Sequence, residues 1–102
     1  MRPELNKYKV LVRGQNFLLN VDGSVGKFGF FTTRFAEADT PAQAEETAIL
    51  ALRADSTLRS NTLNDEADTP MLFVEDIEEL DSFDGITPPG AGFSFYREDA
   101  SA

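Results

Sequence analysis

Residues 27–53, KFGFFTTRFAEADTPAQAEETAILALR, decide the fold class. They read as one long strand, one abrupt turn and one capped helix. Phe28, Phe30, Phe31 and Phe35 carry large apolar surface at a strand-like period, and residues 36–38 end the run. Asp39-Thr40-Pro41 then switches the chain into a helix. Thr40 suits the N-cap, Pro41 the first helical position, and Gln43 completes a capping box. Along the strand, Phe31 and Phe35 share one face with Thr33; Phe28, Phe30 and Ala36 share the other with Thr32 and Arg34. A central strand covered on both sides has this character. Helical spacing puts Ala44, Ala48, Ala51, Leu52 and Ile49 on one stripe and Gln43, Glu46, Arg53 and Thr57 opposite. Small alanines let such a helix lie close to large sheet side chains. Leu50 falls on the polar side.

Outward from that stretch, residues 7–13 alternate, with Tyr8, Val10 and Val12 on one face and Lys7, Lys9, Leu11 and Arg13 on the other. Gly14-Gln15-Asn16 breaks or bulges this strand, residues 17–21 continue it, and Asp22-Gly23-Ser24 signals a reversal. After the helix the spacing predicts a short helical turn near 56–60 and a solvated loop over 64–68. Pro70 restarts an extended segment over 71–80. There Glu75-Asp76 ahead of Ile77 breaks the alternation, as a bulge or an acidic edge strand does. A last strand over 92–97 has Phe93 and Phe95 on one face and Ser94 and Tyr96 on the other. The expected fold is α+β and two-layered. It has a mainly antiparallel sheet of four to five strands with one main helix on one face, in the order ββαββ, with room for an extra short strand or helical turn.

The 102 residues, 41 % hydrophobic, suit a single domain over 1–102 with frayed ends at 1–6 and 98–102. No run approaches the ~20 apolar residues of a membrane span, and the first residues lack the apolar block of a signal peptide. The expectation is a cytoplasmic protein with no membrane partner. Charge is split unevenly. Residues 1–53 carry seven Lys/Arg against six Asp/Glu, and residues 54–102 carry two against twelve. Nucleic-acid backbones select clustered Lys and Arg, so this balance excludes that partner and admits a basic protein or a cation.

Histidine and cysteine are both absent. That removes the usual neutral-pH general base, Ser-His and Cys-His nucleophile pairs and the common zinc and copper sites. Carboxylate pairs are frequent, but a small domain seldom provides the cleft that paired-carboxylate catalysis needs. Residues 23–29 echo a phosphate loop only faintly: the spacing differs, no Ser or Thr follows Lys27, and a strand follows where a helix belongs. Residues 64–68 and 75–84 lack the spaced ligands, central Gly and terminal Glu of an EF-hand. Tyr8, Phe30, Phe93 and Tyr96 would make an aromatic platform of the RNA-binding kind, but the acidic second half favours core packing. The expectation is a non-enzymatic protein with no catalytic residue, metal or cofactor.

The segments Tyr8-Lys9-Val10, Gly29-Phe30-Phe31-Thr32-Thr33-Arg34-Phe35-Ala36-Glu37-Ala38, Ala44-Glu45 and Pro70-Met71-Leu72-Phe73-Val74-Glu75 resemble small uncharacterised bacterial proteins. The resemblance spans most of the chain and implies a compact α+β domain, with no activity or ligand attached. One helix of about four turns shields one sheet face. If Phe28 and Phe30 point away from it, a second copy of the same sheet is the expected cover, since most soluble oligomers are symmetric homodimers. The expected function is therefore protein association, as a homodimer or as an acidic adaptor or inhibitor of a basic partner. Phe28, Phe30, Glu75, Glu78 and Glu79 are the expected partner-binding residues. The alternative is a regulatory domain that binds a small molecule or cation between sheet and helix.

Overall fold

The fold is built on one long hairpin. Asp22 and Gly23 both take positive φ (53° and 82°), the two-residue turn whose twist matches paired strands. It joins β1 (Asn6–Val21) to β2 (Ser24–Ala38), which pair antiparallel from Val21↔Ser24 to Asn6↔Ala38. The structure, a computed structural model, describes residues 5–65, 67–86, 88, 90 and 92–98. After the hairpin come α1 (Pro41–Arg53), α2 (Ser56–Asn61), β3 (Met71–Leu80) and β4 (Ser94–Arg97). The sheet is wholly antiparallel, in the order β3-β1-β2-β4. The α+β class holds, with two helices in the middle rather than one. The turn expected near 56–60 is a separate helix, because Asp55 caps it by accepting from the Leu58 N–H at 2.9 Å. Of the expected frayed ends, Leu5, Asn6 and Glu98 are described; Asn6 opens β1, and the rest lie outside the described residues.

The core face depends on a change of parity within β1. Tyr8, Val10 and Val12 are even-numbered and Phe17 and Leu19 odd, yet all five are buried on the helix side. A bulge reconciles them. Gly14 pairs with Phe30 and Phe17 with Phe28, so Gln15 and Asn16 together stand opposite Gly29. Asn16 takes φ 63°, and the backbone groups the bulge frees find side-chain partners. Asn64 Oδ1 accepts from Leu18 N–H (2.7 Å), Asn64 Nδ2 donates to Asn16 C=O (2.9 Å), and Glu98 accepts from Asn16 N–H (2.9 Å). Asp68 accepts from Asn16 Nδ2 (2.8 Å) and pairs with Lys27. The segment 64–68, expected as a solvated loop, is thus tied to the bulge, with Glu66 outside the described residues.

α1 follows its cap. Thr40 Oγ1 accepts from Gln43 N–H at 3.2 Å, and Gln43 Oε1 accepts from Asp39 N–H at 3.1 Å, one residue before the cap. Ala44, Ala48 and Leu52 are buried against Tyr8, Val10, Val12, Ala36 and Ala38, while Ala51 and Leu50 are exposed. Burying Leu52 contributes about 1.5–3 kcal/mol. α2 seats Leu58 over the far end of the hairpin, among Phe17, Leu19, Phe28 and Phe30. The Phe30 ring lies on Gly14, where a Cβ would come within 2.2 Å of it. Phe17, Phe93 and Phe95 surround that ring at centroid distances of 5.0, 5.0 and 5.8 Å. Each tilted or edge-on pair adds about 0.5–1.5 kcal/mol to the area it buries.

Among the described residues, one charged side chain is buried on this side of the sheet. Arg34 is buried beneath the Phe93 ring (5.1 Å) and donates to the Thr33 carbonyl (3.0 Å) and to Thr32 Oγ1. Burial lowers its pKa from the usual value, and the charge of Asp55 opposes that shift.

Candidate functional site

The sheet face away from the helices is covered at one end and open at the other. β3 and β4 lie at opposite edges, so the chain between them must cross the sheet. Phe83 in that crossing packs edge-on against Phe35 at 6.0 Å, shielding the end of the sheet near Lys7 and Leu80. Nearer the hairpin turn, among the described residues, no helix lies over the face. Phe73 on β3, Arg13 on β1 and Phe31 on β2 are cross-strand neighbours there, one directly beside the next. Tyr96 on β4 extends the row, its ring resting on Gly29 and 5.9 Å from that of Phe31. Phe31, Phe73, Tyr96 and Met71 are 40 %, 37 %, 39 % and 43 % exposed. Large apolar side chains exposed in register make a patch, unlike the scattered singles of any surface.

Arg13 is the polar centre of this patch. Its guanidinium lies 4.6 Å from the centroid of the Phe73 ring. Its Nε donates to Glu75 Oε1 at 2.6 Å, and Nη1 to Gln15 Oε1 at 2.7 Å. A second bulge makes this pair. Val74 pairs with Val12 and Asp76 with Leu11, so Glu75 is the extra residue beside Arg13. The hydrogen bond from Arg13 to Glu75 raises the Arg13 pKa above its usual value; desolvation opposes it, and the charge of Glu75 and the neighbouring Tyr96 add to the rise. The guanidinium stays charged beside the Phe73 ring.

The expected partner-binding residues are split between the two faces. Phe28 and Phe30 point toward the helices and are 6 % and 0 % exposed, so they offer no surface to a partner; the exposed phenylalanines of the sheet's other face are Phe31 and Phe73. Glu75 is held by Arg13, and Glu78 lies 3.9 Å from Lys9. Glu79 is exposed in register with Tyr8, on the helix side of the edge strand. The three carboxylates therefore do not converge. Arg13, Phe73 and Tyr96 come from three strands, so no local sequence pattern joins them. The available signal was the parity change in β1, which places Phe31 rather than Thr32 opposite Arg13.

A second feature lies on the helix side. A cavity of about 410 Å³ opens between the C-terminal ends of α1 and α2 and the start of β3. Leu72, beside it, touches both halves of the core. Among the described residues, no three carboxylates are grouped as metal ligands. No described helix is long and apolar enough to cross a membrane. No family model, curated protein or solved structure matches the chain.

Proposed function

We propose that this is a non-enzymatic, cytoplasmic association domain that pairs with a second copy of itself through the open end of the sheet. The carrying observation is the row Phe73–Arg13–Phe31, extended by Tyr96, left half-exposed in register across the sheet. A two-fold interface sets a patch against its own copy, so the patch must be its own complement. An apolar row whose two charges, Arg13 and Glu75, already neutralise each other within one chain meets that condition, since neither sets an unpaired charge against its own copy. A basic partner is the poorer fit, because Glu75 and Glu78 already face cations of β1.

Size sets the strength. The open end spans about nine residues of β1 and, at most, four strands, or roughly 30 by 19 Å at standard strand spacings. That is less than the roughly 800 Å² per partner of stable complexes, so the pairing is dynamic and concentration-dependent. Salt decides between occupants. Two chains of net charge −9 repel, and screening strengthens their pairing, whereas a complex with a basic protein weakens in salt. Sedimentation across concentration, at low and high salt, tests the proposal. The mean mass should rise from 11.2 kDa toward twice that value, more so in high salt, and Phe73→Glu should keep the chain monomeric. A constant 11.2 kDa up to about 1 mM, where affinities near −4 kcal/mol become visible, refutes it.

A further inference from the structure

The cavity on the helix side has a floor of Phe17, Leu52, Leu58 and Leu72 and a rim that includes Arg53 and Arg59. These two arginines stand in the last turns of α1 and α2. In a chain with twice as many carboxylates as cations, most of the other described cations have a partner close by, Lys7 on the far side of the hairpin being the exception. Lys9 faces Glu78, Arg13 holds Glu75, Lys27 holds Asp68, and Arg34 is bonded within the core. Arg53 and Arg59 make no ion pair or side-chain hydrogen bond among the described residues. No carboxylate lies among the described residues lining the cavity.

We infer that this cavity binds a monocarboxylate with an apolar tail, its head group between Arg53 and Arg59 and its tail on the leucine and phenylalanine floor. Helix-dipole complementation alone accounts for one arginine at each C-terminus, so the remaining charge matters. Two guanidinium charges against two terminal half-charges of roughly −0.5 leave about +1 at the rim, enough for one carboxylate. Volume sets the tail. At about 30 Å³ per group, the space a water takes in the liquid, 410 Å³ holds about 13 groups. An eight- to ten-carbon acid fits within that. The size also falls within the roughly 300–1,000 Å³ of small-molecule pockets.

The site lies across the sheet from the proposed dimer face, so the two readings stand or fall separately. The test is a titration with sodium octanoate, kept below its micelle-forming concentration and followed by backbone amide NMR, with octan-1-ol as the neutral isostere. Octanoate should give saturable shifts at residues 52, 53, 58, 59 and 72. Octanol should bind on the order of tenfold or more weakly, as loss of charge-assisted hydrogen bonds implies. Arg53→Gln/Arg59→Gln, both at exposed positions, should keep the wild-type spectrum and reduce octanoate to the octanol level. Absence of saturable shifts, shifts centred on the open sheet face, equal binding of octanol, or indifference to the double substitution each overturns the assignment.

Discussion

Gly14 and Gly29 each make room for an aromatic ring, on opposite faces of the sheet, and their substitutions should behave differently. A Cβ on Gly14 meets the buried Phe30 ring, which Phe17, Phe93 and Phe95 hold in place. Gly14→Ala should therefore cost about 1–3 kcal/mol, the usual penalty of overpacking, read from urea denaturation. A Cβ on Gly29 meets Tyr96, which is exposed and free to swing outward. Gly29→Ala should change stability by about 0.5 kcal/mol or less, yet weaken self-association in sedimentation by displacing Tyr96. Asp68 gives a pH prediction. The Lys27 hydrogen bond, aided by Asn16, lowers its pKa below the usual 3.8. A lowered carboxylate pKa stabilises the folded state above the unfolded value, and that stability is lost as pH falls through the folded value. The melting-temperature gap between wild type and Asp68→Asn should be largest near neutral pH and close below about pH 4. A gap that widens in acid would contradict the pairing. None of this was legible in residues 64–68 alone, because their partners sit some fifty positions earlier at the β1 bulge.

At the scale of elements, local chemistry was enough where partners are near in sequence. The α1 cap, the Asp22-Gly23 turn and the interruption at Glu75 appear where residue types placed them. Thr40→Ala should cost about 1 kcal/mol, a fall of roughly 4–8 °C in melting temperature for a domain of this size. No change would mean that packing alone holds the α1 start. The side of β2 that the helices cover was harder to read. Without the bulge at Gln15 and Asn16, the two-residue turn would place Phe31 and Phe35 on the face of Val10 and Val12. The bulge shifts the register by one residue and places Phe28 and Phe30 there instead. The switch from even to odd apolar positions along β1 already encoded this shift.

At the scale of the molecule, an acidic domain has its helices on one face of a sheet and a half-open aromatic row on the other. Self-association predicts a melting temperature that rises with protein concentration, because pairing stabilises only the folded chain. The rise should vanish in Phe73→Glu. A melting temperature independent of concentration in both proteins would speak against pairing through this face. The crossing between β3 and β4 limits the open area, since Phe83 takes the end over Phe35 that a partner would otherwise cover.

The sequence by itself determined the α+β class, the hairpin turn, the capped helix and the interruption at Glu75, because caps, turns and alternation act between residues a few positions apart. Only the tertiary structure decided which phenylalanines are buried, what ties down residues 64–68, and where Arg13, Phe31, Phe73 and Tyr96 meet. Those outcomes follow from strand order and from a one-residue register shift, and in a sheet of period two such a shift exchanges one face for the other.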